Sequence, residues 1–537
     1  MRTVLVVAAV LGFACEVPSV GDGGSGGGGG ASSGGGSAAT GGGSGATGGG
    51  SATGGGSATG GGSATGGGSA TGGGSATGGG STTGGGGGTA PTPEYFVATT
   101  GLDTNPGTQA LPFRTIQKGV TTASSGGGTV TVRGGTYSEK VTITSGGTAP
   151  LWLRSQPGEL AVIDGTGLTV ANGQQGLITI DSRSHVRVQG FELKNFRSSN
   201  ASVPLGLFVT GSGDGLELLD NHVHHIVTTV GSCNGAGGNA FGLAVYGTDA
   251  TTPWTNVLVR GNELDHLTLG CSESLSINGN VDGFEVSANF VHDNDNIGIV
   301  AIGFEGTSPT VANDQARNGV IRGNRVSNIN SAGNPAYNGE SAADGIYVDG
   351  GKNILIELNV VDHADLGVEV ASEHFNQVSA YVLVRNNAIS RSVQAGLSVG
   401  GYSTSVGGAQ HDVFLNNSLF SNTVEFQAQV YIQNIVVQNN VFFSPTGDYI
   451  TGALTQQVVT TNLNRTGAAS ATFVNAPGDL HLVAALDSLS VDRGTAFSCP
   501  AMWTCPAVWS TPLEGTLDLD LRPRVAGAAI DLGAYEK

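Results

Sequence analysis

A short phrase, apolar–x–apolar–x–x–Asn–x–apolar, recurs through the second half of the chain at intervals of 23 to 41 residues. Internal repetition at such periods indicates a solenoid, in which each repeat forms one coil and neighbouring coils bury a shared core. The uneven intervals indicate that the coils carry loops of different length, and such loops are where function usually resides. The repeated asparagines are Asn221, Asn262, Asn289, Asn324, Asn359, Asn387, Asn417 and Asn440.

Each repeat alternates apolar and polar residues, which is the two-residue period of a β-strand. A second short strand, entered by glycine or a small residue, follows each asparagine strand, as in DGIYVDG at Gly345 and LGVEVAS at Gly367. Each coil therefore has at least two strands, and strands of successive coils would stack in parallel. The asparagines would stack in a turn and hydrogen-bond along the column. The repeat predicts an all-β chain folded as a parallel β-helix.

This pattern resembles that of the right-handed parallel β-helix proteins typified by pectin and pectate lyases, which implies a right-handed solenoid. The stretch from Tyr95 to Ile143 resembles the N-terminal capping segment of bacterial polysaccharide-degrading β-helix proteins, and residues 520–536 resemble their closing segment. The capping segment predicts a helix that closes the first coil and shields its strand edges. The apolar face of this helix would hold Phe113, Ile116, Val120 and Ala123.

The N-terminal composition predicts a surface protein. Residues 1–15, MRTVLVVAAVLGFAC, have the pattern of a secretion signal. Cys15 resembles the acylated cysteine of bacterial lipoproteins, with plain secretion as the alternative. Residues 16–92 are dominated by Gly, Ser, Ala and Thr and predict a disordered linker. We expect the β-helix over residues 93–485 and a C-terminal closing segment over 486–537. The chain would be a monomer at the bacterial cell surface, extracellular or anchored to the outer membrane through its lipid alone.

Cysteines and charge narrow the environment and the partners. If Cys15 is acylated, an even number of cysteines remains, which favours two disulfides, Cys233–Cys271 and Cys499–Cys505, in an oxidising compartment. The net charge of −19, with only five lysines, argues against a nucleic-acid partner. The resemblance implies a polysaccharide or a cell-surface glycan as the partner.

One pair of neighbouring strands predicts a chemical site. In DGIYVDG, Ile346 and Val348 would point into the core, so that Tyr347 and Asp349 point outward. Aligning the next strand at Gly367 places Glu369 beside Tyr347. The predicted catalytic group is Asp349, Glu369, Asp344, Glu373 and His374.

Paired carboxylates on a sugar-binding wall favour glycoside hydrolysis, with one carboxyl as general acid and the other as nucleophile or base. Tyr347, Arg317 and Tyr337 are the candidate substrate-binding residues. Two alternatives stay open for the same carboxylates, namely solvated surface and a calcium site. The sequence therefore leans towards an enzyme without deciding its reaction.

A calcium-dependent polysaccharide lyase is the second hypothesis. The segment HDNDNIGI is similar to the acidic turn of pectate lyases, which implies Asp293 and Asp295 as metal ligands and calcium as the candidate cofactor. Lys352 is the single lysine between residues 195 and 536, and its GGKN context favours a solvated turn. A third hypothesis is a non-catalytic adhesin or glycan-binding protein.

A further column lies four residues beyond the repeated asparagines, and it favours either a metal site or a polar stack along a turn. Its members are His225, His266, Asp293, Asn328 and His363.

Overall fold

The computed structural model describes residues 90–144, 146–232, 238–454 and 457–537. Within them the chain winds into a right-handed parallel β-helix, and each coil contributes one strand to each of three parallel sheets. Along the chain, a strand of sheet 1 is followed by a short strand of sheet 2 and then by a strand of sheet 3. The coil thus has one strand more than the two that the repeat makes visible, because the strands of sheet 2 are often only three residues long.

The strands have the following bounds. Sheet 1 contains Glu94–Val97, Gly128–Val132, Leu151–Ser155, Val186–Gln189, Gly213–Leu219, Trp254–Arg260, Val281–Ser287, Arg317–Arg322, Lys352–Glu357, Val378–Arg385, Val413–Leu415, Val436–Gln438 and Val458–Thr460, with Gly408–Gln410 and Ile432–Gln433 at its side. Sheet 2 contains Gly135–Tyr137, Ala161–Asp164, Phe191–Lys194, His222–His224, Glu263–Asp265, Phe290–Asn294, Arg325–Ile329, Val360–Ala364, Ala388–Ser390, Ser418–Phe420, Val441–Phe443 and Leu463–Arg465. Sheet 3 contains Val141–Thr144, Gln174–Asp181, Val203–Thr210, Phe241–Gly247, Leu275–Gly279, Ile299–Ile302, Asp344–Asp349, Leu366–Ala371, Ala395–Val399, Val424–Ala428 and Ile450–Thr451.

The remaining elements are small. Two further pairs of strands are Arg197–Ser198 with Val227–Thr228, and Phe473–Asn475 with Asp479–Leu482. The helices are Ile116–Ala123 and Asp487–Ser490, and the 3-10 turns are Ser331–Gly333, Ala469–Ala471, Ala484–Leu486 and Ala507–Trp509. None of the helices in the described ranges is long and apolar enough to cross a membrane.

The predicted asparagine ladder is confirmed, and it runs one coil further, to Asn462. At each step the side-chain oxygen of one asparagine accepts hydrogen bonds from the backbone N–H and the side-chain amide of the asparagine one coil earlier, as between Asn324 and Asn359 at 2.9 and 3.0 Å. The amide of each asparagine also donates to a backbone carbonyl of the preceding coil, Ile321 in the case of Asn359. The ladder therefore satisfies buried backbone groups at the turn from sheet 1 to sheet 2.

The residue before each ladder asparagine has a positive φ, which lets the chain turn sharply from sheet 1 to sheet 2. Glycine at 261 and 323 adopts this conformation freely, and asparagine at 386, 416 and 439 tolerates it well. Leu358 and Ala288 occupy the same position with φ of 59° and 52°. Leucine and alanine can be held there because the ladder and the strands on either side fix the turn.

The segments at the two ends of the solenoid pack on the coils in different ways. The helix Ile116–Ala123 packs on the first coils through Ile116, Val120 and Ala123, whereas Phe113, predicted on the same helical face, is buried but precedes the helix. Thr115 caps the N-terminus of the helix by accepting a hydrogen bond from the N–H of Lys118. The C-terminal segment instead lies along the outside of the coils. The fully buried indole of Trp509 packs on sheet 1 and donates from Nε1 to the carbonyls of Ile354 and Tyr381 at 3.2 and 3.1 Å. Leu532 packs on the outer face of sheet 2.

The two predicted disulfides have different outcomes. Cys499 and Cys505 are bonded, with their Cα atoms 6.0 Å apart, which confirms that pairing. Cys271 is disulfide-bonded as well. The following lie outside the described residues and stay predictions: the partner Cys233, the acylation candidate Cys15, the signal of residues 1–15 and the linker of residues 16–92 up to residue 89.

Candidate functional site

The outer face of sheet 3 carries the predicted site in its predicted register. Tyr347 lies directly opposite Glu369, in neighbouring strands of the sheet. Ile346 and Val348 are fully buried in the core, which leaves Tyr347 and Asp349 on the outer side. The alternation of the sequence is therefore the reason that these polar side chains share one wall.

Six carboxyl groups from successive coils gather on this wall, and we call them the acid cluster. Asp344 and Asp349 begin and end one strand, while Glu369 lies in the middle of the next and Glu373 follows its end. Glu305 follows the strand Ile299–Ile302. The full set is Glu273, Glu305, Asp344, Asp349, Glu369 and Glu373, whose members act electrostatically on one another.

Neutral side chains from later coils orient Glu369. Its Oε1 accepts hydrogen bonds from the hydroxyl of Ser398 and the amide of Gln429, both at 2.7 Å. The same amide also donates to the hydroxyl of Ser398 at 2.7 Å. On the side of the preceding coil, the charge of Glu369 helps to raise the pKa of Asp344.

The side chains of Asp349 and Glu305 are each positioned by fewer hydrogen bonds than that of Glu369. Asp349 Oδ1 accepts the backbone N–H of Glu373 at 2.7 Å, which ties the end of its strand to the following coil. Glu305 Oε2 accepts the side-chain amide of Asn278 at 2.7 Å. These contacts position the carboxyl groups without supplying a positive charge.

Burial raises the pKa of every carboxyl in the acid cluster, and repulsion by other members adds to the shift at Glu273, Asp344, Asp349 and Glu373. The pKa of Asp349 lies well above its ordinary value because the group is buried and because Glu373 and Glu305 lie near it. Burial raises the pKa of Glu369 to about 7, although the hydrogen bonds from Ser398, Asp344 and Gln429 oppose the shift. Burial, with the charges of Glu305 and Glu369, raises the pKa of Glu373 to about 8.

The same causes act on the other members. Burial raises the pKa of Glu305 to about 7, against the hydrogen bond from Asn278. The pKa values of Asp344 and Glu273 lie well above their ordinary range through burial, followed by repulsion from neighbouring carboxylates. In this part of the described chain the charged groups acting most strongly on the six carboxyls are other carboxylates. The acid cluster therefore holds protonated and ionised carboxyl groups side by side near neutral pH.

Two tyrosines and a histidine complete the wall. Tyr347 is buried, and its burial and the surrounding carboxylates raise its pKa well above 10. Tyr402 is half-buried, and burial with the charge of Glu373 raises its pKa to about 12. Burial lowers the pKa of His374, and its Nε2 has no hydrogen-bond partner among the described residues. Both tyrosines are therefore neutral donors and His374 is a neutral imidazole at pH 7.

Part of the acid cluster has the spacing of a metal site. One ligand atom from each of Glu305, Asp349 and His374 lies within 4.8 Å of the other two. Asp314 lies close by and is held by the backbone N–H groups of Gly306 and Ser308, at 2.6 and 2.9 Å. The donor set of two carboxylates and one imidazole is compatible with a divalent cation.

Other predicted site residues have different surroundings. Arg317 begins a strand of sheet 1, and its guanidinium contacts Asp282 at 3.0 Å together with neighbouring carbonyl oxygens. The hydroxyl of Tyr337 accepts the amide of Asn296 at 3.1 Å. These contacts are those of residues that stabilise loops, so a role in binding substrate stays a prediction for both.

The predicted calcium ligands bind protein donors. Asp293 contacts His292 Nδ1 at 2.7 Å and accepts from Asn328 at 2.9 Å. Asp295 accepts the backbone N–H of Leu269 at 2.7 Å, and burial raises its pKa to about 6. Neither aspartate belongs to the two groups of three potential metal ligands found among the described residues. The acidic turn is thus built as a hydrogen-bonded turn.

The strand pattern of the sequence does not indicate every member of the site. Glu273 precedes a strand and Glu305 lies in an insert, so that the alternation of strand residues points to neither. Ser398 is the exception, because it follows Gly396 at the spacing by which Glu369 follows Gly367. Aligning three strands would have placed Ser398 beside Glu369.

The fold and the site together define a parallel β-helix protein with a buried carboxylate cluster on one wall. No family model matches the chain. The solved structure of pectate lyase Pel9A matches this chain with a TM-score of 0.48 at 14% identity. The match covers 83% of this chain and 96% of the pectate lyase chain. The solved structure of a GH136 lacto-N-biosidase from Eubacterium ramulus matches with a TM-score of 0.46 at 12% identity. The match covers 70% of this chain and 68% of the lacto-N-biosidase chain.

A curated relative has much higher identity. The uncharacterized protein YwoF of Bacillus subtilis (strain 168) is 35% identical over 351 residues, which cover 64% of this chain and 73% of YwoF. The chain belongs to the same family as YwoF.

Proposed function

We propose that the protein is a polysaccharide-active enzyme, a glycoside hydrolase whose reaction takes place at the acid cluster. The observation that supports this proposal is the crowding of six carboxyl groups with raised pKa values on one wall of sheet 3. Glycoside hydrolysis requires a protonated and an ionised carboxyl at the same pH. The crowding provides that combination near neutrality.

Asp349 is the proposed general acid and Glu369 the proposed nucleophile or base. Burial and neighbouring carboxylates keep Asp349 protonated, so that it can donate a proton to the leaving glycosidic oxygen. Ser398 and Gln429 donate to Glu369 and favour its ionised form, which can attack the anomeric carbon or activate a water. Asp344, Glu373 and His374 would tune the charge of this pair.

The charge of the wall favours a neutral glycan. A chain with net charge −19 that carries an acid cluster would repel a polyanionic uronate. The half-buried Tyr402 offers a neutral hydroxyl and a ring surface of the kind that bind sugars. A predicted lipid at Cys15 and the linker of residues 16–92 would present this wall to polysaccharides outside the cell.

The test is product analysis on a panel of neutral polysaccharides, with new reducing ends measured for wild type and for Asp349→Asn. We expect wild type to release saturated oligosaccharides from at least one glycan and Asp349→Asn to lose most of that activity. Asp448→Asn is the matched control, because Asp448 is exposed and far along the chain from the acid cluster. Full activity of Asp349→Asn on a glycan that wild type cleaves would contradict the proposal.

A calcium-dependent lyase is the second candidate, and the closeness of the Glu305 and Asp349 carboxylates is the observation that favours it. Glu305 and Asp349 would supply oxygen ligands to the ion, while calcium takes no imidazole nitrogen by preference. The same assays distinguish the two reactions, since a lyase yields unsaturated products that absorb in the ultraviolet and loses activity with a chelator. Saturable binding without any product would indicate a glycan-binding protein.

A further inference from the structure

A second group of potential metal ligands lies on the outer face of sheet 2, on a different wall of the coils from the acid cluster. His222 lies on one strand and Glu263 and Asp265 on the next, with His222 directly opposite Glu263. Val223, which follows His222, and Leu264, which lies between Glu263 and Asp265, are fully buried in the core. The alternation of the strands therefore points all three potential ligands outward on the same face.

The three side chains have the spacing of ligands around one ion. A ligand atom from each of His222, Glu263 and Asp265 lies within 4.8 Å of the other two. His222 Nε2 and Asp265 Oδ1 are 2.5 Å apart. Ligands about 2.0–2.2 Å from a zinc ion lie up to roughly 4.4 Å from one another, so small side-chain rotations bring this set to coordination distance.

Further imidazoles hold the two carboxylates in place. His266 Nδ1 contacts the second oxygen of Asp265, and His292 Nε2 lies 3.3 Å from Glu263 Oε1. His292 in turn stacks on Phe290 at 3.8 Å between ring centres. In metal sites the ligands are commonly fixed by such outer hydrogen bonds, which set their orientation.

Two positively charged side chains on this face, Lys194 and Arg325, have other partners. The ammonium of Lys194 lies 2.5 Å from Glu192, which also faces His224 Nε2 at 3.3 Å. The guanidinium of Arg325 lies over the ring of Phe290 at 5.3 Å. His222, Glu263 and Asp265 are thus partnered mainly by one another and by imidazoles.

We propose that His222, Glu263 and Asp265 bind a divalent transition-metal ion of the zinc type. Imidazole together with carboxylate suits zinc and its neighbours, whereas calcium and magnesium prefer oxygen ligands alone. The ion would join two successive coils through their side chains. This site is independent of the proposed hydrolase reaction, since it lies on another sheet.

The test uses the full chain after chelator treatment, titrated with Zn²⁺ by calorimetry and with Co²⁺ by visible absorption. Asp349→Asn serves as the background for every variant, which separates this site from the group that includes Asp349. We expect one ion to bind, and His222→Gln and Asp265→Asn each to weaken Zn²⁺ binding by more than about tenfold. His363→Gln is the matched control, because that exposed histidine lies on a later coil of the same sheet.

A thermal-unfolding measurement tests the same proposal without calorimetry. Zn²⁺ should raise the Tm of the background protein and leave the Tm of His222→Gln unchanged, because an ion that binds only the folded chain stabilises it. His222 is half-buried, so this variant is expected to fold, which circular dichroism checks directly. The absence of Zn²⁺ binding in the background protein, or binding that persists undiminished in both variants, would overturn the proposal.

Discussion

Glu369→Gln is expected to lose about 10²- to 10⁴-fold in glycan turnover while becoming more resistant to unfolding at pH 8 than wild type. Glutamine keeps the shape of the side chain and can still accept the hydrogen bond from Ser398. It can neither attack an anomeric carbon nor take a proton from water. It also removes one negative charge from a wall where Asp344 and Glu373 feel the charge of Glu369.

The two effects of Glu369→Gln are measured separately. Turnover is taken from release of reducing ends on the glycan that wild type cleaves, and stability from urea denaturation at pH 8. Asp448→Asn supplies the control, since it removes an exposed carboxylate outside the acid cluster. A variant that loses activity and stability together would indicate that Glu369 serves the fold, which would contradict a catalytic assignment.

The stability gain should depend on pH in a defined direction. The pKa values of Glu305 and Glu369 are about 7 and that of Glu373 about 8 in the folded chain, against roughly 4.3 for glutamate in an unfolded chain. The folded state therefore binds more protons than the unfolded state between these values, and its stability falls as pH rises from about 4.3 to about 8. We expect the difference in unfolding free energy between Glu369→Gln and wild type to increase over that range.

Comparing Glu369→Gln with wild type isolates the contribution of Glu369 to the pH dependence of stability. The hydrogen bond to Asp265 raises the pKa of His222 and burial lowers the pKa of His374, but both histidines are common to both proteins. Asp265, whose burial is outweighed by hydrogen bonds that lower its pKa to about 2, titrates below the range. A difference that stays constant from pH 5 to pH 8 would show that Glu369 ionises normally.

The wall that carries the acid cluster follows from a simple regularity of the sequence. Alternation puts Ile346 and Val348 inside, and equal spacing from Gly345 and Gly367 puts Glu369 beside Tyr347. These predictions succeed because parallel stacking repeats one register from coil to coil. The ladder is predictable for the same reason, since identical residues at identical turns must meet.

How deeply the acid cluster is buried cannot be predicted from the alternation of strand residues. Asp349 faces outward by the alternation of its strand, yet it is only 4% exposed, and Asp344 at the start of the same strand is only 3% exposed. Their burial depends on loops between coils, and loop paths are set by contacts far apart in sequence. Glu305 illustrates the point, because it reaches the acid cluster from an insert whose length and composition contain no strand period. The electrostatics of the cluster therefore require the folded chain.

Asn359→Ala is expected to destabilise the solenoid by about 3–5 kcal/mol, the largest effect we expect from a single substitution outside the acid cluster. The change removes the acceptor of the Asn324 backbone N–H and of the Asn324 side-chain amide, which donate at 2.9 and 3.0 Å. It also removes the donor to the carbonyl of Ile321. All three groups lie in the interior of the turn, where each unsatisfied group costs about 1–3 kcal/mol.

Two further asparagines make the test specific. Asn464→Ala removes an exposed asparagine from the last strand of sheet 2 and should change stability by less than about 0.5 kcal/mol. Asn462→Ala should have an intermediate effect, because Asn462 accepts from Asn440 but is only half-buried, so that water can replace part of its hydrogen bonding. Urea denaturation followed by circular dichroism measures all three variants, and hydrogen exchange at the backbone N–H of Asn324 locates the damage. Equal stabilities for Asn359→Ala and Asn464→Ala would show that the ladder adds nothing to the stack beyond its apolar core, since a coil held by side-chain packing alone would be indifferent to which asparagine is removed.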